Sequence, residues 1–136
     1  MRIMAIDYGD VRTGISVSDA TATLAGESWV LQAKSQKSAA QTIADEARAR
    51  EVSVIVVGYP KNMDGTVGPR AEMSERLADH LRSLIEAEVV LWDERLTTMS
   101  AHRILSDSGK ATKKHKKTID AVAASLILES YLKSLT

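Results

Sequence analysis

The sequence predicts a mixed α/β fold, and three observations indicate it. Short segments near the start are apolar or alternate apolar with polar residues, which is typical of half-buried strands. From residue 38 the apolar residues recur at helical spacing. Two later apolar runs each follow a helical segment, as strands joined by helices do. We therefore expect a mixed five-stranded sheet, with three antiparallel strands followed by parallel strands and with helices on both faces.

The first three strands follow from alternation and from turn residues. Ile15 and Val17 lie on one face of the second strand, whereas serines lie on the other. Gly9 falls in the turn before this strand, which is typical of a hairpin. The three strands are predicted at residues 2–7, 13–19 and 27–32.

The rest of the chain is predicted to alternate between helices and strands. Pro69 is typical of the first turn of a helix, where the N–H group has no helical partner. Thr97 or Thr98 can cap a third helix, and Thr118 can cap a fourth. The fourth helix is apolar around most of its circumference and should pack against the sheet. Helices are predicted at residues 38–51, 69–85, 97–105 and 119–133, and strands at residues 52–58 and 88–94.

Length and composition are typical of one soluble domain. The chain has 136 residues, so we expect residues 1–136 to form a single domain. The absence of cysteine excludes disulfides and thiolate metal sites. The sequence has no apolar stretch of about 20 residues and no signal-peptide pattern at its start. We therefore expect a cytoplasmic location without membrane contact.

Three acidic residues are candidates for a shared site. Asp7 ends the first strand and Glu94 the fifth, so both should emerge at one edge of the sheet if these strands are parallel. Asp120 is expected in the first turn of the last helix, among apolar neighbours. Three crowded carboxylates repel one another, and a divalent cation such as Mg²⁺ removes that conflict. Two such ions could activate a water and stabilise the leaving oxygen of a phosphodiester.

Each acid also has a simpler interpretation. Asp7 could be an ordinary strand-end residue, and Glu94 could pair with Arg95 or Arg12. The positive end of a helix dipole could stabilise Asp120 without any metal. The proposed metal site therefore depends on whether the fold brings the three side chains together.

Four segments of the chain carry a family resemblance. They are IDYGDVRTGISVSD near the start, VGYPKNMDGTVGPRA at residues 57–71, DERLTT at residues 93–98 and DAVAA at residues 120–124. In this order they resemble the motifs of the YqgF/RuvX family, which is related to the RuvC Holliday junction resolvases within the ribonuclease H-like superfamily. The opening segment departs from the family pattern at Asp10, where a small residue or Thr is usual. Asp10 could be an additional outer-sphere group near the acids or a turn residue, and we favour the turn residue.

The resemblance implies a ribonuclease H-like fold and a nuclease that depends on Mg²⁺ or Mn²⁺. It implies that Asp7, Glu94 and Asp120 are the metal ligands and catalytic residues, while Asp93 should point to the other side of its strand. The implied function is processing of the 5′ end of precursor 16S ribosomal RNA in ribosome biogenesis. A Holliday junction resolvase acting on branched DNA is the alternative. The chain could be a monomer or a homodimer, and symmetric cutting of a junction calls for the dimer.

Positively charged residues are candidates for contacts with nucleic acid. Arg12 in the hairpin and Arg70 at a helix start could each bind a phosphate, or each could pair with a nearby acid. The formal net charge is zero, but lysines are concentrated in an expected loop before the last helix. That loop could follow a nucleic-acid backbone, or it could be a solvated surface. The lysines predicted to bind substrate are Lys113, Lys114, Lys116 and Lys117.

Two other classes of protein fit parts of the pattern. The turn after the first strand is also similar to the phosphate loop of actin–hexokinase phosphotransferases, but that class needs two lobes and this length supplies one. A non-catalytic RNA-binding module would explain the lysines, but three retained acids argue against a decayed site. We therefore favour a nuclease that acts on structured RNA, with branched DNA as the second substrate.

Overall fold

The computed structural model describes the backbone of residues 1–96 and 113–136 and the side chains of residues 1–95 and 119–136. The strands are β1 (Arg2–Asp7), β2 (Arg12–Ser18), β3 (Ala25–Gln32), β4 (Val52–Tyr59) and β5 (Glu88–Asp93). The α-helices are α1 (Gln36–Ala49), α2 (Pro69–Leu84) and α3 (Lys113–Ser134), and a 3₁₀ helix spans Glu94–Leu96. The helix predicted at residues 97–105 lies outside the described residues.

The five strands form one mixed sheet in the order β3-β2-β1-β4-β5. β2 pairs antiparallel with both β1 and β3. β4 pairs parallel with both β1 and β5. The prediction of three antiparallel strands followed by parallel strands is therefore confirmed. The parallel pairing also brings the carboxyl ends of β1, β4 and β5 to the same edge of the sheet.

Helices cover both faces of this sheet. Because side chains alternate along a strand, Ile3 and Ile6 of β1 face opposite ways. Ile6 belongs to the buried cluster under α1 and α2, together with Leu77. Ile3 belongs to the cluster under α3, together with Ile127. Each buried aliphatic side chain contributes about 1.5–3 kcal/mol, so both layers stabilise the central strands.

The starts of α1 and α2 follow from local sequence. Ser35 caps α1, because its hydroxyl accepts a hydrogen bond of 3.1 Å from the Ser38 backbone N–H. This cap places the start of α1 at Gln36, two residues before the predicted one. α2 begins at Pro69, as predicted. Its end at Leu84 is one residue before the predicted one.

α3 differs from the prediction at its start. Its buried residues Ile119, Ala123 and Ile127 confirm that it packs against the sheet. The helix begins at Lys113, so the prediction that Thr118 caps it is wrong, and the predicted loop is helical from residue 113 onward. Lysine is a good helix former, which explains the extension. Within the described part of the chain, no helix is long and apolar enough to cross a membrane.

Candidate active site

Asp7 is the last residue of β1, at the carboxyl edge of the sheet. It pairs with Gly14 of β2, and β4 flanks it on the other side. The pKa of the Asp7 carboxyl is raised from 3.8 to about 7, chiefly by burial and then by repulsion from Glu94 and Asp120, while attraction by Arg70 lowers it. Asp7 is therefore more than an ordinary strand-end residue, because its charge is unfavourable where the fold places it.

Glu94 lies directly after β5, at the same edge as Asp7. The prediction that Glu94 ends the strand is wrong by one residue, because β5 ends at Asp93 and Glu94 begins the 3₁₀ helix. Burial raises the pKa of the Glu94 carboxyl, attraction by Arg70 lowers it, and repulsion by Asp93 raises it. As for Asp7, the surroundings of Glu94 disfavour the negatively charged form of its carboxyl, chiefly because of burial.

A glycine makes room for the Glu94 carboxylate. Gly58 lies near the end of β4, the strand next to β5. A Cβ atom at Gly58 would lie 3.2 Å from the Glu94 carboxylate carbon and 2.7 Å from the Ile127 methyl. An added methyl at Gly58 would therefore crowd both Glu94 and Ile127 unless one of these side chains shifts. No pattern in the sequence predicts this role of Gly58.

Asp120 reaches the site from α3 and not from a helix terminus. It lies about two turns after Lys113, so the prediction that it occupies the first turn is wrong. The helix-dipole interpretation of Asp120 therefore loses its basis. Asp120 is close enough to Asp7 to raise the Asp7 pKa. All three predicted acids thus belong to one electrostatic neighbourhood.

A second glycine brings α3 close to the sheet at this point. A Cβ atom at Gly14 would lie 2.0 Å from the backbone oxygen of Asp120. Atoms cannot approach so closely, so only glycine permits this contact between β2 and α3. Gly14 thereby fixes the backbone of Asp120 relative to Asp7, which pairs with Gly14.

Arg12 binds Asp120 in this structure. The Nε atom of Arg12 donates a hydrogen bond of 3.0 Å to Oδ2 of Asp120. The two side chains are 25% and 22% exposed, so the ion pair is partly shielded from water. The sequence places Arg12 in the hairpin and allows a pairing with Glu94, but in the structure the ion pair of Arg12 is with Asp120.

Asp93 and Arg95 form a separate ion pair next to the three acids. The Arg95 guanidinium donates to the Asp93 carboxylate at 2.7 Å, and the Arg95 backbone N–H donates to it at 2.9 Å. These hydrogen bonds lower the pKa of Asp93. Asp93 thus has a charged partner of its own, although it also raises the pKa of Glu94.

The loop at residues 60–68 lies beside this ion pair. Asn62 and Thr66 close the loop on themselves, with a backbone hydrogen bond of 2.9 Å and a side-chain hydrogen bond of 2.8 Å. A Cβ atom at Gly65 would lie 3.5 Å from the Arg95 guanidinium. The loop therefore has a defined shape at the edge of the sheet that holds the acids.

The predicted cationic contacts are only partly described. Arg70 is the second residue of α2, is exposed, and acts electrostatically on both Asp7 and Glu94. Lys113, Lys114, Lys116 and Lys117 lie in the first turns of α3, the helix that carries Asp120. Their side chains lie outside the described part of the structure.

Asp7, Glu94 and Asp120 lie near one another, but their described side chains are not arranged as a complete metal site. Among the described side chains, no group of three or more His, Asp or Glu is arranged to hold a metal ion. One reason is visible, because Asp120 is bound to Arg12. The chemistry of the donors still fits a hard divalent cation, since oxygen ligands and crowded negative charge favour Mg²⁺. Arg12 holds Oδ2 of Asp120 in this structure, so that oxygen is available to a cation only when the ion pair opens.

The mixed sheet with helices on both faces is the fold of solved Holliday junction resolvases. A RuvC protein of Thermus thermophilus, solved in complex with a Holliday junction substrate, has a TM-score of 0.60 with this chain. The similarity covers 100% of this chain and 97% of that chain. The sequences are only 12% identical, so this comparison supports the fold alone. The predicted fold class is confirmed.

The chain belongs to the RuvX family, whose description is Holliday junction resolvase, and the match covers residues 1–134. A protein of Halothermothrix orenii named "Putative pre-16S rRNA nuclease" is 43% identical over 132 residues, covering 97% of this chain and 94% of its own length. A protein of the same name from Halalkalibacterium halodurans is 42% identical, with coverages of 97% and 96%. The predicted resemblance is confirmed.

Proposed function

We propose that this chain is a divalent-metal-dependent nuclease that processes the 5′ end of precursor 16S ribosomal RNA. The names of its full-length relatives support both the reaction class and the RNA substrate. The observation that carries the proposal is the meeting of Asp7 and Glu94, both partly buried, at one edge of the sheet, where both pKa values are raised. Functional sites are where proteins keep such unfavourable charge. We propose that residues 1–136 act as one nuclease domain.

Asp7, Glu94 and Asp120 are the proposed ligands for Mg²⁺ or Mn²⁺. When bound, one or two such ions activate a water and stabilise the leaving oxygen of the phosphodiester. Asp7 must lose its proton to act as a ligand, because its pKa of about 7 leaves much of it protonated at neutral pH. Glu94 is held in place by the packing around Gly58. Asp7 and Glu94 therefore already lie at the proposed metal site.

The cations have a proposed role in holding the substrate. Arg70 lies in the first turn of α2, where backbone N–H groups also favour phosphate, and it acts electrostatically on Asp7 and Glu94. Arg12 offers a planar fork that can bind phosphate oxygens in pairs. The lysines of α3 lie on the helix that carries Asp120, so a bound backbone could pass from the acids along this helix.

The decisive experiment compares wild type with Asp7→Asn. We expect the wild type to cut a precursor 16S RNA fragment in Mg²⁺ or Mn²⁺, and Asp7→Asn to lose at least about 1,000-fold in rate, because a proposed metal ligand is removed. Asp79→Asn is the matched control, because Asp79 is exposed on α2 and pairs only with Arg82 among the described residues. Equal cutting by wild type and Asp7→Asn would defeat the proposal.

A Holliday junction substrate is the second candidate. The description of the family and the RuvC-like fold favour it. The same enzyme preparations should therefore be tested on a four-way DNA junction beside the RNA. Faster cutting of the junction than of the RNA would make branched DNA the preferred substrate. Symmetric cutting would also require a dimer, which sedimentation of the protein can measure.

The lysines of α3 can be tested through salt dependence. Replacing Lys113, Lys114, Lys116 and Lys117 together by Ala should weaken binding of structured RNA by about tenfold or more near physiological salt. The slope of log affinity against log salt should also become flatter, because each phosphate contact releases counterions. Binding is measured by fluorescence anisotropy in EDTA, so that the RNA stays intact. An unchanged slope would show that these lysines are only solvated.

A further inference from the structure

The ion pair between Arg12 and Asp120 joins two distant parts of the chain. The partners are 108 positions apart in sequence, and the Nε to Oδ2 distance is 3.0 Å. Gly14 holds the Asp120 backbone against β2, since any Cβ there would collide with the Asp120 carbonyl oxygen. The backbones of both partners are therefore fixed, with Arg12 at the start of β2. The pair therefore opens when the Arg12 or the Asp120 side chain rotates, without movement of the backbone.

The pair also decides how the site balances its charge. Asp120 lies close enough to Asp7 to raise the Asp7 pKa, so its carboxylate adds to the crowded negative charge. Arg12 neutralises Asp120 directly, and Arg70 acts on the two other acids. A divalent ion at the acids would bring a positive charge beside Arg12. The guanidinium and such an ion thus compete for one carboxylate.

We infer that Arg12 competes with the metal ion for Asp120. When the metal ion displaces Arg12, the guanidinium becomes a ligand for a phosphate of the substrate. This inference rests on the proposed function. Without a divalent ion, Arg12 occupies Asp120 and is withheld from the substrate. When Asp120 turns to a bound ion, the Arg12 guanidinium is released at the same edge of the sheet and can bind a phosphate. Metal binding and phosphate binding then favour each other through one side chain.

Metal affinity is the first test, and it does not depend on activity. Mn²⁺ binding to the full chain is measured by electron paramagnetic resonance for wild type, Arg12→Gln and Arg70→Gln. We expect Arg12→Gln to bind Mn²⁺ about three- to tenfold more tightly, because a partly shielded competitor is removed. Arg70→Gln is the matched control for charge near the acids. Its effect should vanish in 0.5 M KCl, because exposed charges are screened.

RNA affinity with and without a divalent ion is the second test. An RNA hairpin is titrated into each variant in EDTA and in Ca²⁺. We expect Arg12→Gln to change RNA affinity less than about twofold in EDTA, where Asp120 holds Arg12, and to weaken it about tenfold in Ca²⁺. Arg70→Gln should weaken RNA binding equally in both conditions. If the ion pair of Arg12 were purely structural, the loss of RNA affinity in Arg12→Gln would not depend on Ca²⁺ either.

The outcomes separate this inference from the proposed function. If wild type binds Mn²⁺ and cuts RNA, but the two arginine variants alter Mn²⁺ affinity equally at high salt, Arg12 is no competitor and the inference fails alone. It also fails if Arg12→Gln weakens RNA binding equally in EDTA and in Ca²⁺. If wild type binds no Mn²⁺ and cuts nothing, the proposed function fails first.

Discussion

Asp93 and Glu94 are neighbours in the sequence, yet their surroundings shift the two pKa values in opposite directions. Hydrogen bonds from Arg95 lower the pKa of Asp93. Burial raises the pKa of Glu94, and the attraction of Arg70 does not fully offset it. The two acids therefore have opposite roles. Asp93 is stabilised by a partner two residues away, whereas Glu94 is held as an acid that the fold itself does not favour.

Asp7 shares the situation of Glu94, although it comes from another strand. Its pKa rises to about 7, chiefly because of burial. Two acids with the same unfavourable shift at one edge of a sheet indicate a shared ligand better than either acid alone. Asp93 shows the contrasting case, in which an arginine satisfies the charge locally. The direction of the pKa shift therefore separates two of the proposed ligands, Asp7 and Glu94, from the ion-paired Asp93.

The largest expected effect comes from removing the charge of Asp7 in the absence of metal. The folded-state pKa of about 7 exceeds the ordinary 3.8, so the folded protein holds this proton to higher pH than the unfolded chain does. Asp7 therefore lowers stability progressively between about pH 4 and pH 7. Asp7→Asn should raise the free energy of unfolding at pH 8 by up to about 4 kcal/mol, and hardly at all at pH 4.

Chemical denaturation in EDTA at the two pH values checks this expectation. Adding Mn²⁺ should stabilise the wild type and not Asp7→Asn, so the difference between them should shrink. Asp79→Asn provides the baseline, because Asp79 is exposed and paired at the surface. A wild type that is as stable at pH 8 as Asp7→Asn would mean that the charge of Asp7 is compensated, and the comparison with Asp93 would break.

The next effect sharpens the difference between Glu94 and Asp93 through packing. A methyl group added by Gly58→Ala would lie 2.7 Å from the Ile127 methyl and 3.2 Å from the Glu94 carboxylate carbon. Overpacking of this kind costs about 1–3 kcal/mol of stability. We expect cleavage to fall at least about tenfold at a temperature where the variant is folded, because Glu94 is displaced.

Gly26→Ala is the matched control for Gly58→Ala. Gly26 lies on the edge strand β3, and its nearest neighbour to an added Cβ atom is 3.1 Å away. This variant should lose some stability but should cut RNA at the wild-type rate when folded. Thermal unfolding and cleavage rates are measured side by side. Full activity of folded Gly58→Ala would show that Glu94 tolerates displacement and has no ligand role.

The parts of the fold that local sequence determines could be predicted. Alternation and apolar runs identified all five strands, and the parallel pairing then followed from the helices between β1, β4 and β5. Asp7 could be placed at the sheet edge because a strand end is visible in the sequence. The start of α3 could not be predicted from the sequence. Thr118 can cap a helix there, whereas the lysines before it can continue the helix, and tertiary packing decides between these two starts.

The details of the site depend on contacts between distant residues. The ion pair of Arg12 with Asp120 spans 108 positions, and no local pattern distinguishes it from a pairing with Glu94. Gly14 and Gly58 are ordinary strand glycines in the sequence. Their role appears only when α3 lies against the sheet, where a Cβ atom would collide with Asp120 or Ile127. Such glycines inside strands are a signal that another element approaches closely.

The smallest expected effect tests the other side of the comparison. Asp93→Asn removes the charge that Arg95 binds at 2.7 Å, in a pair that is partly open to solvent. Because such pairs contribute little, thermal unfolding should shift down by less than about 4 °C. The pKa of Asp93 is lowered from its ordinary 3.8, so its contribution is present above that pH and is lost as the pH falls through the lower folded-state pKa, and the shift should shrink on acidification. Cleavage should fall less than about tenfold, and a loss as large as that of Asp7→Asn would place Asp93 among the ligands and remove the distinction between the two neighbouring acids.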